Sequence, residues 1–257
     1  MPRIRTERAG RIVAALLAAT LSACGGGTSS DDTVVLPPDA YEFDLPAGFP
    51  EPATPAEGII TPAQVDLGRH LFYDTRLSFN GEGSCASCHE QRKAFTDGRV
   101  TSVGPSGDIH PRNAMSLVNA VYNSRQNWAN PNIRTLRQQA VLVLFNTDPV
   151  ELGWTAREAG MLDRLRADSD YPQRFAEAFP DVPDPFTVNN VAIALAAFNA
   201  ALISGRSAYD RFHDPVSPDR GAMSPAARRG ASGTPRRRPA KTSGCSTSRS
   251  RGRSRRW

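Results

Sequence analysis

The spacing of apolar residues along the chain predicts a mainly α-helical fold. Three stretches carry apolar side chains three and four positions apart, which is the spacing of one helix face: residues 65–72, 161–165 and 191–202. A fourth stretch, residues 136–145, is apolar enough to form a buried helix. The sequence shows no sustained alternation with a period of two, so we expect no sheet of consequence.

Capping residues indicate where these helices begin. Pro62 suits a first helical position, and Gly205 fits the end of the last helix. Three threonines are placed to cap, two of them with an amide or acidic side chain three positions later that completes a capping box: Thr61 with Gln64, Thr155 with Glu158, and Thr187 alone.

The amino-terminal residues predict export. Residues 1–23 combine four arginines with an apolar run too short to span a bilayer, which is typical of a signal peptide. Leu21-Ser22-Ala23-Cys24 resembles a bacterial lipobox, so Cys24 is expected to be lipidated, unless the site is an ordinary cleavage site and Cys24 is incidental. We therefore expect a periplasmic protein that meets the membrane through a lipid anchor only.

A tether and a strap should follow the signal. Residues 24–40 include a Gly/Ser/Asp run without apolar content, which predicts a flexible tether. Residues 34–58 are rich in proline, with Tyr41, Phe43 and Phe49 spaced along them. This composition predicts an extended strap pressed against the domain.

Charge is distributed unevenly. The formal net charge is +5, but residues 228–257 hold eleven Lys or Arg and no acidic residue, which leaves residues 1–227 at −6. Nucleic acid is therefore not an expected partner of the folded part. Residues 231–257 cannot bury enough apolar surface to become ordered, so we expect a disordered basic tail. A basic arm for anionic lipid or nucleic acid is the functional alternative for this tail.

Cys85-Ala86-Ser87-Cys88-His89 predicts covalent attachment of haem c. The two thiols can add to the haem vinyl groups, and His89 can then bind the iron as an axial ligand. Zinc binding and a redox pair are the alternatives. Structural zinc needs four ligands, and the sequence has no second such pair. A thioredoxin-like pair would sit at a strand end in a parallel α/β pattern, whereas these flanks are helical or irregular.

Several further runs resemble the amino-terminal haem domain of bacterial di-haem cytochrome c peroxidases and the related MauG-like enzymes: Leu67-Gly68-Arg69-His70-Leu71-Phe72-Tyr73-Asp74, Arg76-Leu77-Ser78, Ala94-Phe95-Thr96-Asp97-Gly98 and Val150-Glu151-Leu152-Gly153. The run from Asp44 to Pro50 resembles the MauG-like subgroup that includes the methanobactin-associated enzymes. The resemblance covers roughly residues 41–230. It implies a mainly α cytochrome c-like haem domain over residues 41–222, with long loops and an extended strap.

The resemblance also implies roles for individual residues. Hydrogen peroxide would react at this haem, with Glu151 as a distal carboxylate for acid–base work and Gln139 as a pocket amide. Trp128 matches a tryptophan between two haems, and Asn113 matches a calcium ligand. Without the resemblance, Glu151 and Gln139 would be expected to face solvent. Trp128 would then be a packing residue, and Asn113 would stabilise a turn.

His110 lies in a Gly/Pro-rich loop twenty-one residues after His89. Some peroxidases hold a displaceable distal histidine in this loop, which makes His110 a candidate second iron ligand. A merely solvated loop histidine is the alternative.

The resemblance to the family ends near Gly230. Residues 223–230 look like the start of a second haem domain, after which the composition changes abruptly, and we hypothesise a reading-frame shift there. Full-length relatives carry a second haem that relays electrons from a small cytochrome or a partner protein. Two other interpretations remain, a mono-haem electron carrier with Met115 or Met161 as axial ligand, and an inactive fragment.

Overall fold

The computed structural model describes residues 38–55 and 58–233. Eight α-helices form in this part of the chain: α1 (Pro62–Tyr73), α2 (Cys85–Cys88), α3 (Leu136–Phe145), α4 (Glu158–Arg166), α5 (Tyr171–Ala178), α6 (Val188–Ala200), α7 (Ala208–His213) and α8 (Pro225–Gly233). Three short 3-10 turns lie at Thr75–Leu77, Gln91–Lys93 and Ala120–Tyr122. The described residues contain isolated β-bridges and no strand, so the prediction of a mainly α fold is confirmed.

The core forms where α6 packs against α1 and α3. Gly68 on α1 allows the closest approach, because a Cβ atom at this position would lie 1.9 Å from the carbonyl oxygen of Ala194 on α6. Trp154 is fully buried beside these helices and donates its Nε1–H to the carbonyl oxygen of Leu77, 2.7 Å away. These contacts fix α1, and with it the segment that leads into α2.

The caps predicted at Thr61 and Thr187 are confirmed, since each side chain accepts a hydrogen bond from the backbone three positions later. The cap predicted at Thr155 is wrong. Helix α4 does begin at Glu158, but Thr155 donates instead to the carbonyl oxygen of Phe145, 2.8 Å away. The intervening Ala156 has φ +61°, which turns the chain away from capping geometry.

Over its described residues the strap forms neither helix nor strand, and it turns at residues 38–39 and 47–48. Tyr122 donates its hydroxyl hydrogen to the carbonyl oxygen of Pro50 at 2.9 Å, and Arg206 pairs with Asp44. The prediction that Gly205 ends the last core helix is wrong, because α6 ends at Ala200. Gly205 lies instead under the strap, where a Cβ atom would be 2.4 Å from the ring of Phe49.

Several predictions fall on residues outside the described ranges. The signal peptide, Cys24, most of the tether and the tail from residue 234 onwards belong to this group and stay predictions. Helix α8 covers Pro225–Gly233, so residues 231–233, which were predicted to belong to the disordered tail, are helical. Across residues 38–55 and 58–233, no helix is both long enough and apolar enough to cross a bilayer.

Candidate functional site

One cavity of about 650 Å³ brings the predicted site residues together. Its wall is formed by α2, by the loops around residues 99–117 and 126–129, and by parts of α3 and α6. All the described residues that the resemblance or the haem motif points to line it: Cys85, Cys88, His89, His110, Asn113, Trp128, Gln139 and Glu151. Residues more than sixty positions apart in sequence therefore face one space.

Helix α2 holds the two cysteines one turn apart on the cavity wall. Ser84 and Ser87 form a reciprocal cap at its start, with the Ser84 N–H donating to Ser87 Oγ at 3.0 Å. Burial raises the pKa of the Cys85 thiol to about 12 and also raises the pKa of Cys88. Redox-active pairs of the thioredoxin type have lowered thiol pKa values, so this environment disfavours a redox pair.

Zinc is also disfavoured within the part of the chain that the structure describes. No three side chains of His, Cys, Asp or Glu in residues 38–55 and 58–233 are grouped to hold a metal ion. A structural zinc site needs four such ligands.

His89 follows α2 directly, and its ring is held by the backbone. Its Nδ1 lies 2.8 Å from the carbonyl oxygen of Phe95, which assigns the proton to Nδ1 and the lone pair to Nε2. Burial lowers the pKa of His89, so the neutral ring is favoured. A neutral imidazole with an Nδ1–H donor is the form that binds a metal through Nε2.

Glu151 faces the same cavity from the loop after α3. Asn146 Nδ2 donates to Glu151 Oε1 at 3.2 Å. Burial nevertheless raises the pKa of this carboxyl to about 6. Such a group can accept or release a proton near neutral pH, because both its forms are accessible there.

Gln139 and His110 occupy two other parts of the wall. Gln139, on α3, accepts a hydrogen bond from Asn127 Nδ2 through its Oε1 at 3.1 Å. His110 Nε2 is buried without a hydrogen-bond partner, and a Cβ atom at Gly104 would lie 3.1 Å from it. Burial lowers the pKa of His110 and favours its neutral form.

The remaining candidates divide between rim and core. Trp128 is 57% exposed at the rim, so it is not a core packing residue, and Asn113 is exposed there too. Of the two methionines named for an electron carrier, Met115 lines the cavity. Met161 is 2% exposed within the hydrophobic core.

Sequence reasoning missed Asn199. This residue lies on α6 and lines the cavity, and its Oδ1 is buried without a hydrogen-bond partner. A polar residue near the end of the apolar run from Val191 to Phe198 is the signal that could have pointed to it. Arg99 and Arg112, also missed, place two cationic groups on the wall.

Comparison with known proteins gives consistent matches. The family described as di-haem cytochrome c peroxidase matches residues 62–215. Cytochrome c551 peroxidase of Pseudomonas aeruginosa is 33% identical over 164 residues, which cover 63% of this chain and 46% of that protein. The methylamine utilization protein MauG of Methylophilus methylotrophus is 30% identical over 193 residues, or 75% of this chain and 54% of that one.

A solved structure is similar as well. A MauG-like protein associated with microbial copper homeostasis superposes with a TM-score of 0.69 and 39% sequence identity, over 75% of this chain and 54% of that chain. The chain spans about half the length of the curated relatives that it matches.

Proposed function

The chain belongs to the di-haem cytochrome c peroxidase family, and from that premise we propose that it binds haem c covalently and reduces hydrogen peroxide. The observation that carries this proposal is the shared cavity, which joins the Cys-x-x-Cys-His run to a carboxyl with a raised pKa. A haem attachment motif alone would equally suit an electron carrier. A buried acid–base group in the same cavity as the motif favours peroxide chemistry.

The residues present fit a haem group. Cys85 and Cys88 would form the thioether links, and His89 would bind the iron through Nε2. The cavity volume of about 650 Å³ is that of a cofactor site. When bound, haem supplies an iron at which peroxide can coordinate and be reduced.

Glu151 would then act as the acid–base group that transfers a proton. Its carboxylate would take the proton from one peroxide oxygen and return it to the other, from which water leaves. The Gln139 side chain would orient peroxide by hydrogen bonding. His110, whose Nε2 is buried without a hydrogen-bond partner, would serve as a displaceable second ligand of the haem iron.

Peroxide reduction needs two electrons, so a donor is required. We propose a small cytochrome or a partner protein, with Trp128 at the exposed rim as the contact nearest the cavity. A second haem is expected in the full-length relatives as the relay. Asn113 would contribute its side-chain oxygen to a calcium site. The reaction would take place in the periplasm, with lipidated Cys24 as the anchor.

A test of this proposal begins with the full chain produced alongside cytochrome c maturation proteins. Mass spectrometry should show one haem added through two thioether bonds. The ferric protein should show a high-spin absorption band, and peroxide should be consumed when a reduced cytochrome is supplied. Unmodified thiols, or a haem spectrum that peroxide leaves unchanged, would refute the proposal.

A mono-haem electron carrier is the second candidate function. The observation that favours it is Met115, which lines the cavity and offers a thioether as a second strong axial ligand. In that case the ferric protein should be low-spin, and Met115→Ala should convert it to high-spin. A high-spin spectrum in the unmodified protein would exclude this candidate.

A further inference from the structure

Phe72 connects the His89 ring to the protein surface. Phe72 is 1% exposed and lines the cavity, with its ring centroid 6.5 Å from that of His89. The Phe72 ring centroid also lies 5.1 Å from that of Tyr73, which is 44% exposed. Both separations are those of aromatic pairs in contact. One buried ring therefore separates the iron-binding histidine from a phenol in solvent.

Phe198 on α6 holds this pair of rings in place. Its centroid lies 5.1 Å from Phe72 and 6.3 Å from Tyr73. Because α6 is the most extensive partner of α1, the three rings belong to the rigid core rather than to a loop. The path from the cavity to Tyr73 is therefore a fixed feature of the fold.

The two aromatic residues on α1 differ in their chemistry. A phenylalanine ring has no proton to release and serves as a bridge only. A tyrosine can lose an electron and its phenol proton together, which leaves a neutral radical. The exposed Tyr73 hydroxyl can release that proton to water, and Gln91 Oε1 lies 3.5 Å away.

We propose that Tyr73 is a redox-active residue that delivers one electron through Phe72 and His89 to the haem site. This proposal rests on the proposed function, because hydrogen peroxide is the oxidant that first removes electrons from that site. In the step, the Tyr73 O–H bond breaks, the electron reduces the oxidised haem site by one equivalent, and the proton enters bulk water. Tyr73 remains as a phenoxyl radical.

A surface hollow beside Tyr73 indicates which kind of molecule reduces the Tyr73 radical back to the phenol. The hollow has a volume of about 260 Å³ and is open to solvent. Two tyrosines, one histidine and five charged side chains line it: Tyr73, Tyr171, His70, Asp74, Arg76, Asp168, Asp170 and Arg174. Its size suits a small phenolic reductant such as a hydroquinone. The reductant would lose one O–H hydrogen atom to the Tyr73 radical, so the Tyr73 O–H bond would form again.

Tyr209 provides a matched control for Tyr73. It is 52% exposed, and its ring contacts His213 on α7. Tyr209 does not line the cavity. Tyr73→Phe keeps the ring contacts with Phe72 and Phe198 and removes only the hydroxyl, so the haem-loaded full chain should fold normally. Tyr209→Phe removes the hydroxyl of a similarly exposed tyrosine away from the path.

The experiment uses the full haem-loaded chain with ring-deuterated tyrosine and freeze-quench electron paramagnetic resonance. One arm oxidises the haem site with hydrogen peroxide, and a second oxidises it photochemically with a ruthenium dye and a cobalt(III) electron acceptor, without peroxide. We expect a deuterium-sensitive tyrosyl signal in the wild-type protein and in Tyr209→Phe, and its loss in Tyr73→Phe. Added hydroquinone should shorten the lifetime of the signal.

The two arms separate this inference from the peroxidase proposal. A tyrosyl signal that appears in the photochemical arm alone and is lost in Tyr73→Phe supports the electron path while refuting peroxide reactivity. A signal unchanged in Tyr73→Phe, or an indole radical in place of a tyrosyl radical, overturns the role of Tyr73. A chain whose thiols carry no haem overturns both proposals.

Discussion

The Nδ1 atom of His89 lies 2.8 Å from the carbonyl oxygen of Phe95. The backbone that presents this oxygen is unusual, because Ala94 and Phe95 have φ values of +55° and +57°. A left-handed conformation costs an L-residue roughly 1–2 kcal/mol. Ser116 Oγ donates to the Ala94 carbonyl oxygen at 2.7 Å and helps to hold this turn. The fold thus accepts local strain where the histidine is oriented.

His89→Ala should keep the covalent haem but lose its axial ligand. The thiols of Cys85 and Cys88 remain, so the haem stain should persist, while the absorption spectrum changes. Added imidazole should enter the vacated space and restore the wild-type spectrum, because it supplies the same nitrogen. His70→Ala is the control, since His70 lies on α1 outside the cavity wall. A wild-type spectrum in His89→Ala without imidazole would contradict the assignment.

Glu151→Gln should slow the reaction with peroxide by about 10²–10⁴-fold, the usual contribution of a general acid–base group. In the wild-type protein, the rate should rise with pH through about 6, where the carboxyl loses its proton. The variant should lack this rise. Stopped-flow mixing with peroxide measures both effects over about pH 4.5–8, a range that covers the protonated and the ionised form of the carboxyl.

Glu82→Gln is the matched control for Glu151, because Glu82 also lines the cavity but is exposed. The pH profile of Glu82→Gln should match that of the wild type.

The contribution of Glu151 to stability should change with pH in the opposite sense to its contribution to activity. Burial raises the pKa of the folded-state carboxyl to about 6, so stability is fully present below the unfolded-state pKa and is lost as pH rises through about 6. A stability difference between wild type and Glu151→Gln that is the same at pH 5 as at pH 7, about one pH unit either side of the raised pKa, would argue against burial.

Sequence reasoning found the local features and missed those that depend on distant packing. The caps at Thr61 and Thr187 were predictable because each involves a backbone N–H only three positions away. Thr155 had the same spacing, yet it bonds to Phe145, ten positions earlier in the chain. Asn199 could not be assigned to the cavity from the sequence, because only the folded position of α6 places it there.

The residues of the candidate site also divide into those that local sequence identifies and those that only the fold brings together. Cys85, Cys88 and His89 are contiguous, so their shared chemistry follows from spacing alone. Glu151 lies more than sixty positions further on and would have been judged a surface residue without the family resemblance. Its burial arises from the loop that follows α3, whose position no local pattern specifies.

Trp154→Phe should destabilise the fold by about 2–4 kcal/mol, from lost packing and a lost buried hydrogen bond. Trp154 is fully buried, and its Nε1–H is donated to the Leu77 carbonyl oxygen at 2.7 Å, which the smaller ring would leave unpaired. Urea unfolding followed by circular dichroism measures the change. Trp128→Phe is the control, because Trp128 is 57% exposed and should change stability by no more than about 0.5 kcal/mol. Equal effects of the two substitutions would show that Trp154 is not the core anchor described.

Gly68→Ala should destabilise the fold by about 3 kcal/mol or more, near the upper end for overpacked cores. The added Cβ would lie 1.9 Å from the Ala194 carbonyl oxygen and 2.6 Å from its carbon, both backbone atoms that cannot rotate away. Helices α1 and α6 would have to separate, and the cavity wall would move with α6.

Gly160→Ala is the matched control for Gly68→Ala. Gly160 lies within α4, and a Cβ atom there meets nothing within 4 Å. Alanine is the better helix former, so this variant should be more stable by about 0.5–1 kcal/mol. The two glycine substitutions should therefore shift the urea midpoint in opposite directions. A Gly68→Ala protein as stable as the wild type would mean that α1 and α6 do not approach as closely as the structure shows.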